Sequence, residues 1–137
     1  MVDKLKKVTD MMLYFLDGQH IKFTYILISA DDENFESFLH EEKRDTDILI
    51  PIDEKQILYA IVCQETDIEG GYRFAERIIR LLDIEKHREC IYCSVLTVSS
   101  ARYSTQQIVF RLLESYLALT KKDPAERRSQ IEFSTLS

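Results

Sequence analysis

Apolar residues recur along this chain with two alternating periods, and each switch of period marks a new element. In "VDKLKKVTDMMLYFLDG", Leu5, Val8, Met12 and Phe15 fall at helical spacing and the run stops at Gly18. "IKFTYILISA" follows, rich in β-branched and aromatic residues, as a buried strand should be. In "DDENFESFLHEEKR", Phe35, Phe38 and Leu39 put a narrow apolar stripe on an otherwise acidic short helix. "DILIPI" and "QILYAIVC" read as two strands of a hairpin joined by "DEKQ". Pro51 has no N–H for a ladder, so the first of the two belongs at a sheet edge or ends early.

Capping signals place the remaining helices. Thr66 and Glu69 have capping-box spacing in "TDIEGGYRFAERIIRLLDIEK", where Phe74, Ile78, Leu81 and Leu82 share a face. "CIYCSVLTVSS" is a further strand. Ser104 and Gln107 repeat the capping spacing before a helix expected to bury Ile108, Leu112, Leu113, Tyr116 and Leu117. The order is helix, then strand–helix–strand–strand–helix–strand, then helix. The middle six elements predict a ferredoxin-like α+β fold, a βαββαβ core with an antiparallel sheet and two helices on one face. The first and last helices are then additions at the N- and C-terminal ends. Residues 1–122 are expected to form one domain, with 123–137 a tail or one extra strand.

Composition narrows the function classes. The chain has 137 residues, 45% hydrophobic and 31% charged, which suits one globular core. A net charge of −6 argues against a nucleic-acid partner, whose binding proteins carry basic stripes. No apolar run spans a bilayer and no signal peptide follows Met1, so a soluble cytoplasmic protein without membrane insertion is expected. Three cysteines do not make a disulfide framework.

Several stretches together resemble the bacterial GGDEF domain family. "LTVSSA" followed by "QIVFRLLESYLALTKK" resembles the family's last strand and helix, with Glu114, Leu117 and Lys121 on matching positions. "RDTDILIP" resembles its "RxxDilaR", and "CQETDIEGGYRFAERI" its "lpeTdleeAlelAERi". The resemblance runs from Phe23 to Lys122. It implies a domain of the kind that, when active, joins two GTP molecules held by two facing subunits.

On that alignment the glycine pair of "EGGYRF" is not the nucleotide loop. It lies inside or at the start of a helix, and the five motif positions fall on Lys55, Gln56, Ile57, Leu58 and Tyr59. Side chains there replace the glycines that let backbone amides approach phosphate, and aliphatic groups replace carboxylates that hold divalent metal. Only a short segment separates Asp31 from Arg44, leaving no room for the family's guanine-reading helices. Asp31 matches a metal-binding aspartate and Lys121 a phosphate-contacting lysine, although capping the following helix is the plainer role for Asp31 alone, and a lysine in a last helical turn is also ordinary dipole complementarity. The resemblance therefore implies a degenerate domain, neither a diguanylate cyclase nor a carrier of cofactor or metal.

Arg44-x-x-Asp47 is the surviving nucleotide feature. In the family such a site binds cyclic di-GMP, the arginine forking onto phosphate or guanine and the aspartate accepting from guanine nitrogens. The alternative is a solvated helix end with Arg44 near the terminal carbonyls. His87, Cys90 and Cys93 in "HRECIYC" have partial metal-ligand spacing, but residues three apart on a strand face opposite ways. Buried small hydrophobes are the plainer role. "RRSQ" at 127–130 is a short basic-serine match with no further support. The leading expectation is a non-enzymatic signalling module that binds a protein partner or its own copy. The alternative is a cyclic di-GMP receptor, in which Arg44→Ala abolishes binding at nearly unchanged melting temperature.

Overall fold

β-branched and aromatic residues without a single charge build the centre of the molecule. Phe23–Ala30 (β1) is buried along its whole length in the computed structural model, which describes residues 2–30, 34–53, 58–86, 91–120 and 130–136. It pairs antiparallel with Leu58–Gln64 (β3) on one side and Ile91–Val98 (β4) on the other, Tyr25 standing opposite both Val62 and Leu96. Ile48–Asp53 (β2) pairs with β3 alone, and the register slips between Pro51 and Asp53. The proline thus sits at an edge, where its missing donor costs least. Gln130–Leu136 (β5) adds a fifth strand parallel to β4, and the sheet order is β2-β3-β1-β4-β5. Between the alternatives of tail and extra strand, these residues form a strand.

Strand alternation divides the core into two layers. Tyr25, Leu27, Ala60, Leu96 and Val98 face the helices Val2–Gln19 (α1) and Thr105–Thr120 (α4), through Leu5, Met12, Leu16, Ile108 and Leu112. Ile26, Ile28, Ile61, Cys93 and Val95 face Phe35–Glu42 (α2) and Ile68–Lys86 (α3), through Phe35, Leu39, Ala75, Ile78 and Leu82. The two helices of the βαββαβ core share one face, as the pattern predicts, and the two added helices cover the other. This is the α+β ferredoxin-like architecture.

Two details depart from expectation. On α4, Leu117 is 53% exposed while Val109 and Leu119 are buried, so the apolar face is rotated from the one the pattern favours. α1 runs past Gly18 to Gln19 and ends with His20 in the left-handed region at φ 58, its N–H bonded to the Leu16 carbonyl at 2.9 Å.

The two capping signals fare differently. Ser104 and Gln107 form a reciprocal box, with Ser104 N–H donating to Gln107 Oε1 at 2.8 Å and Gln107 N–H to Ser104 Oγ at 3.1 Å. For α3 the cap is Asp67, whose Oδ1 accepts from Gly70 N–H at 2.8 Å. Thr66 is drawn away, its hydroxyl donating to the Gln64 carbonyl at 3.0 Å and accepting from Arg44.

Candidate functional site

α2 ends at Glu42, and the chain turns sharply so that Arg44 and Asp47 close on each other. Asp47 N–H donates to the Arg44 carbonyl at 3.0 Å, and Arg44 N–H to Asp47 Oδ2 at 2.9 Å. The guanidinium then grips the same carboxylate, Nε at 3.0 Å and Nη2 at 2.8 Å from Oδ1. Nη2 also reaches across to the end of β3, 3.0 Å from the Gln64 carbonyl and 2.8 Å from Thr66 Oγ1. The Asp47 side chain is 0% exposed and that of Arg44 is 53% exposed. The hydrogen-bonded Asp47 carboxylate raises the Arg44 pKa above its ordinary value, outweighing partial burial. Cys63 lies beside the pair, and burial, helped by the Asp47 charge, pushes its thiol up to about 12.

This clamp forms one wall of a cleft of about 650 Å³. The facing wall is α3, where Arg73, Arg77 and Arg80 recur at i, i+4 and i+7 and so share a face. Arg73 pairs with Glu69 at 2.5 Å. Arg77 donates to the Glu42 carbonyl at 2.9 Å, capping the end of α2, and lies 5.1 Å over the Phe74 ring. Arg80 has no ion pair among the described residues. Lys22, just before β1, completes five cationic side chains in the lining. Against them stand Asp47, Glu65, Asp67 and Glu76, in a chain whose net charge is −6.

The start of α3 is held unusually close to the sheet. A Cβ on Gly71 would lie 2.6 Å from Thr24 Cγ2 and 2.8 Å from Val95 Cγ1, below any normal contact. Beneath it the Thr24 hydroxyl bonds to Thr97 Oγ1 at 2.8 Å and to the Thr66 carbonyl at 2.5 Å. The glycine pair thus lies in α3, away from the hairpin, and Gly71 is the one that seats the helix on the sheet. The turn into the helix passes through Glu65 at φ 51, whose N–H bonds to the Lys22 carbonyl at 2.8 Å.

Of the residues singled out from sequence, Arg44 and Asp47 do come together. The pair is a self-contained clamp whose carboxylate is turned inward. Arg44→Ala would strand that buried carboxylate, so the expectation of an unchanged melting temperature does not fit this geometry. Leu58 and Tyr59 are the buried start of β3, each 6% exposed. Lys55, Gln56 and Ile57 lie outside the described residues, as do Asp31, Lys121, His87 and Cys90. Cys93 is a buried free thiol in β4, its pKa raised by burial. Among the described residues no group of three His, Cys, Asp or Glu side chains is placed to hold a metal. Also among them, no helix is long and apolar enough to cross a membrane.

On the opposite side of the molecule, the outer surfaces of α1 and α4 carry large apolar groups. Tyr14 is 76%, Phe110 67% and Met11 41% exposed. The two helices are tied at one end by the Thr105 hydroxyl, which donates to Asp10 Oδ1.

No family model and no curated protein matches this chain. Solved structures do. The GGDEF domain of FimX from Pseudomonas aeruginosa matches with a TM-score of 0.74 at 10% identity, over 95% of this chain and 91% of that one. The S helix–GGDEF–EAL structure of Vibrio cholerae LapD, bound to c-di-GMP, matches with a TM-score of 0.58 at 17% identity. The match covers 94% of this chain and 34% of LapD, so the chain spans about a third of that structure. The chain has a GGDEF-like fold.

Proposed function

We propose that this chain is a non-catalytic GGDEF-like signalling domain that acts as a protein-interaction module through the outer face of α1 and α4. The observation that carries this reading is the exposure of Tyr14 and Phe110 on that face. Aromatic side chains are the commonest anchors of protein interfaces, because burying one removes a large apolar area from water for little lost side-chain freedom. Absence of turnover is supported by residue type. Leu58 stands where the resemblance calls for a carboxylate, and an aliphatic side chain offers Mg²⁺ no oxygen. Sedimentation velocity across roughly a hundredfold range of concentration tests self-association directly. The expected result is a concentration-dependent dimer that Phe110→Glu converts to monomer. A wild-type chain that stays monomeric throughout, with Phe110→Glu indistinguishable from it, would contradict the assembly of two copies.

A second reading, a cyclic di-GMP receptor, has its own supporting observation. The Nη1 edge of Arg44 makes no hydrogen bond among the described residues, on a half-exposed side chain lining the cleft. The LapD structure is bound to the same dinucleotide.

A further inference from the structure

We propose that β5 is a docking edge for the β5 of a second copy, the two strands pairing antiparallel about Phe133 so that the sheets of two chains run on into one. The contact lies outside the α1 and α4 face and goes beyond the reading given to that face. β5 ends the sheet order, and among the described residues no strand pairs with its outer side. α3 and α4 both pack against it, so its faces are covered and its edge is left open. The two edges of the sheet differ in how they are guarded. At β2, Pro51 removes a donor and the register slips just after it, two devices that keep a strand edge from templating another strand. β5 runs in unbroken register with β4 and carries neither proline nor lysine, Glu132 being its one charge.

The direction of the backbone groups decides what fits this edge. Ser99 N–H donates to the Leu136 carbonyl at 3.0 Å, so Leu136 turns its polar groups toward β4. Along a strand these directions alternate, which turns Glu132 and Ser134 toward β4 and Ile131, Phe133 and Thr135 outward. An antiparallel partner must set outward residues against outward residues. With a second β5 centred on Phe133, Ile131 stands opposite Thr135 and Phe133 opposite itself, so every outward residue exchanges a pair of N–H···O=C bonds. The same register sets Glu132 opposite Ser134. Centring on Glu132 instead leaves Thr135 without a partner in the strand and sets the two glutamates opposite each other, which is repulsive. Centring on Ser134 leaves Ile131 without one. The register that satisfies all the outward groups is thus also the one that separates the like charges, and this is why the edge suits its own copy. Such pairing exchanges hydrogen bonds to water for hydrogen bonds to protein and buries little apolar area, so it is weaker than a contact anchored by aromatic groups. Where the α1 and α4 contact also forms, a chain with two such two-fold contacts assembles into an open row.

The test uses the Phe110→Glu chain, which lacks the α1 and α4 contact, from the sedimentation range up to roughly millimolar concentration. Hydrogen exchange reads the backbone N–H groups of β5 one by one. Those of Ile131, Phe133 and Thr135 are expected to slow about tenfold as concentration rises, while those of Glu132 and Ser134, bonded to β4, stay protected throughout. Sedimentation of the same samples is expected to show a dimer at the top of the range. Thr135→Pro removes one outward donor at an exposed residue and spares the ladder to β4. With it, the dimer and the concentration dependence of exchange are expected to vanish. Outward groups whose exchange ignores concentration would overturn the inference. So would outward groups already as slow as Glu132 in dilute solution, because the edge would then be covered within one chain, or a dimer that Thr135→Pro leaves intact. If Thr135→Pro does not fold, exchange in the Phe110→Glu chain decides alone. The α1 and α4 reading fails by a different result, wild type sedimenting like Phe110→Glu throughout. Concentration-dependent protection of the three outward groups sustains β5 pairing even then.

Discussion

Gly71→Ala is expected to lower the unfolding free energy by about 2 kcal/mol, while Gly70→Ala one position earlier costs nothing or stabilises. In an ordinary helix alanine is favoured over glycine by about 1 kcal/mol at either site. At Gly71 the added methyl meets Thr24 at 2.6 Å and Val95 at 2.8 Å, both buried on strands of the central sheet. Neither can move aside cheaply. Thr24 holds Thr97 and the Thr66 carbonyl through its hydroxyl, so turning it breaks two hydrogen bonds, one of them buried and the other partly so. Overpacking of this kind costs about 3 kcal/mol, and the helix-propensity gain offsets only part of it. At Gly70 the nearest atoms, Thr66 Cγ2 at 3.0 Å and Asp67 Oδ1 at 3.4 Å, belong to the turn before the helix, and a shift of a few tenths of an ångström by Thr66 Cγ2 admits the methyl. Thermal melts of the two variants check the contrast, with Gly71→Ala lowered by about 6 °C and Gly70→Ala at or above wild type. Equal melting of the two would mean that α3 is not seated on the sheet through Gly71. The same variant matters for the cleft, because lifting the start of α3 displaces the wall that bears Arg73, Arg77 and Arg80.

Arg44→Ala is expected to cost about 3 kcal/mol despite the side chain's exposure. The loss falls on Asp47, a buried carboxylate that keeps the Arg44 backbone N–H but loses the fork. The Gln64 carbonyl and Thr66 hydroxyl lose a donor at the same time. Water entering the space vacated by the guanidinium softens the penalty, which places it at the low end for a broken buried pair. A double-mutant cycle with Asp47→Ala isolates the coupling. The double variant is expected to lie at least about 1 kcal/mol above the sum of the single losses, since removing both partners leaves no stranded charge. Additive losses in denaturant titration would mean that the pair contributes no coupling and that Arg44 is not clamped.

The elements were legible because the sequence states them locally. "FTYILISA" carries no charge, Pro51 marks an edge, and Ser104 with Gln107 caps α4 as their spacing says. What the sequence hides is what lies across each contact. Thr66 has the right spacing for a cap, yet Arg44, 22 positions away, competes for its hydroxyl, and Asp67 takes over. Gly71 reads as a helix weakener until Thr24 and Val95 are known to lie under it. Asp47 reads as a surface aspartate in a charged segment, and only the turn from α2 into β2 shows it pointing inward. The arginines at 73, 77 and 80 stand at helical spacing, but the apolar face alone announces the helix. Their polar face becomes a wall only when Arg44 is placed opposite.

The central claim, a GGDEF-like fold that works without turnover, is tested most directly by product analysis. The purified chain is incubated with GTP and Mg²⁺ at the highest concentration that stays in solution, where any facing pair of subunits is most populated, and the nucleotides are separated chromatographically. GTP is expected to be recovered intact. Cyclic di-GMP formed above a protein-free control would contradict it, and would return Lys55, Gln56, Ile57, Leu58 and Tyr59 to the search for an active site.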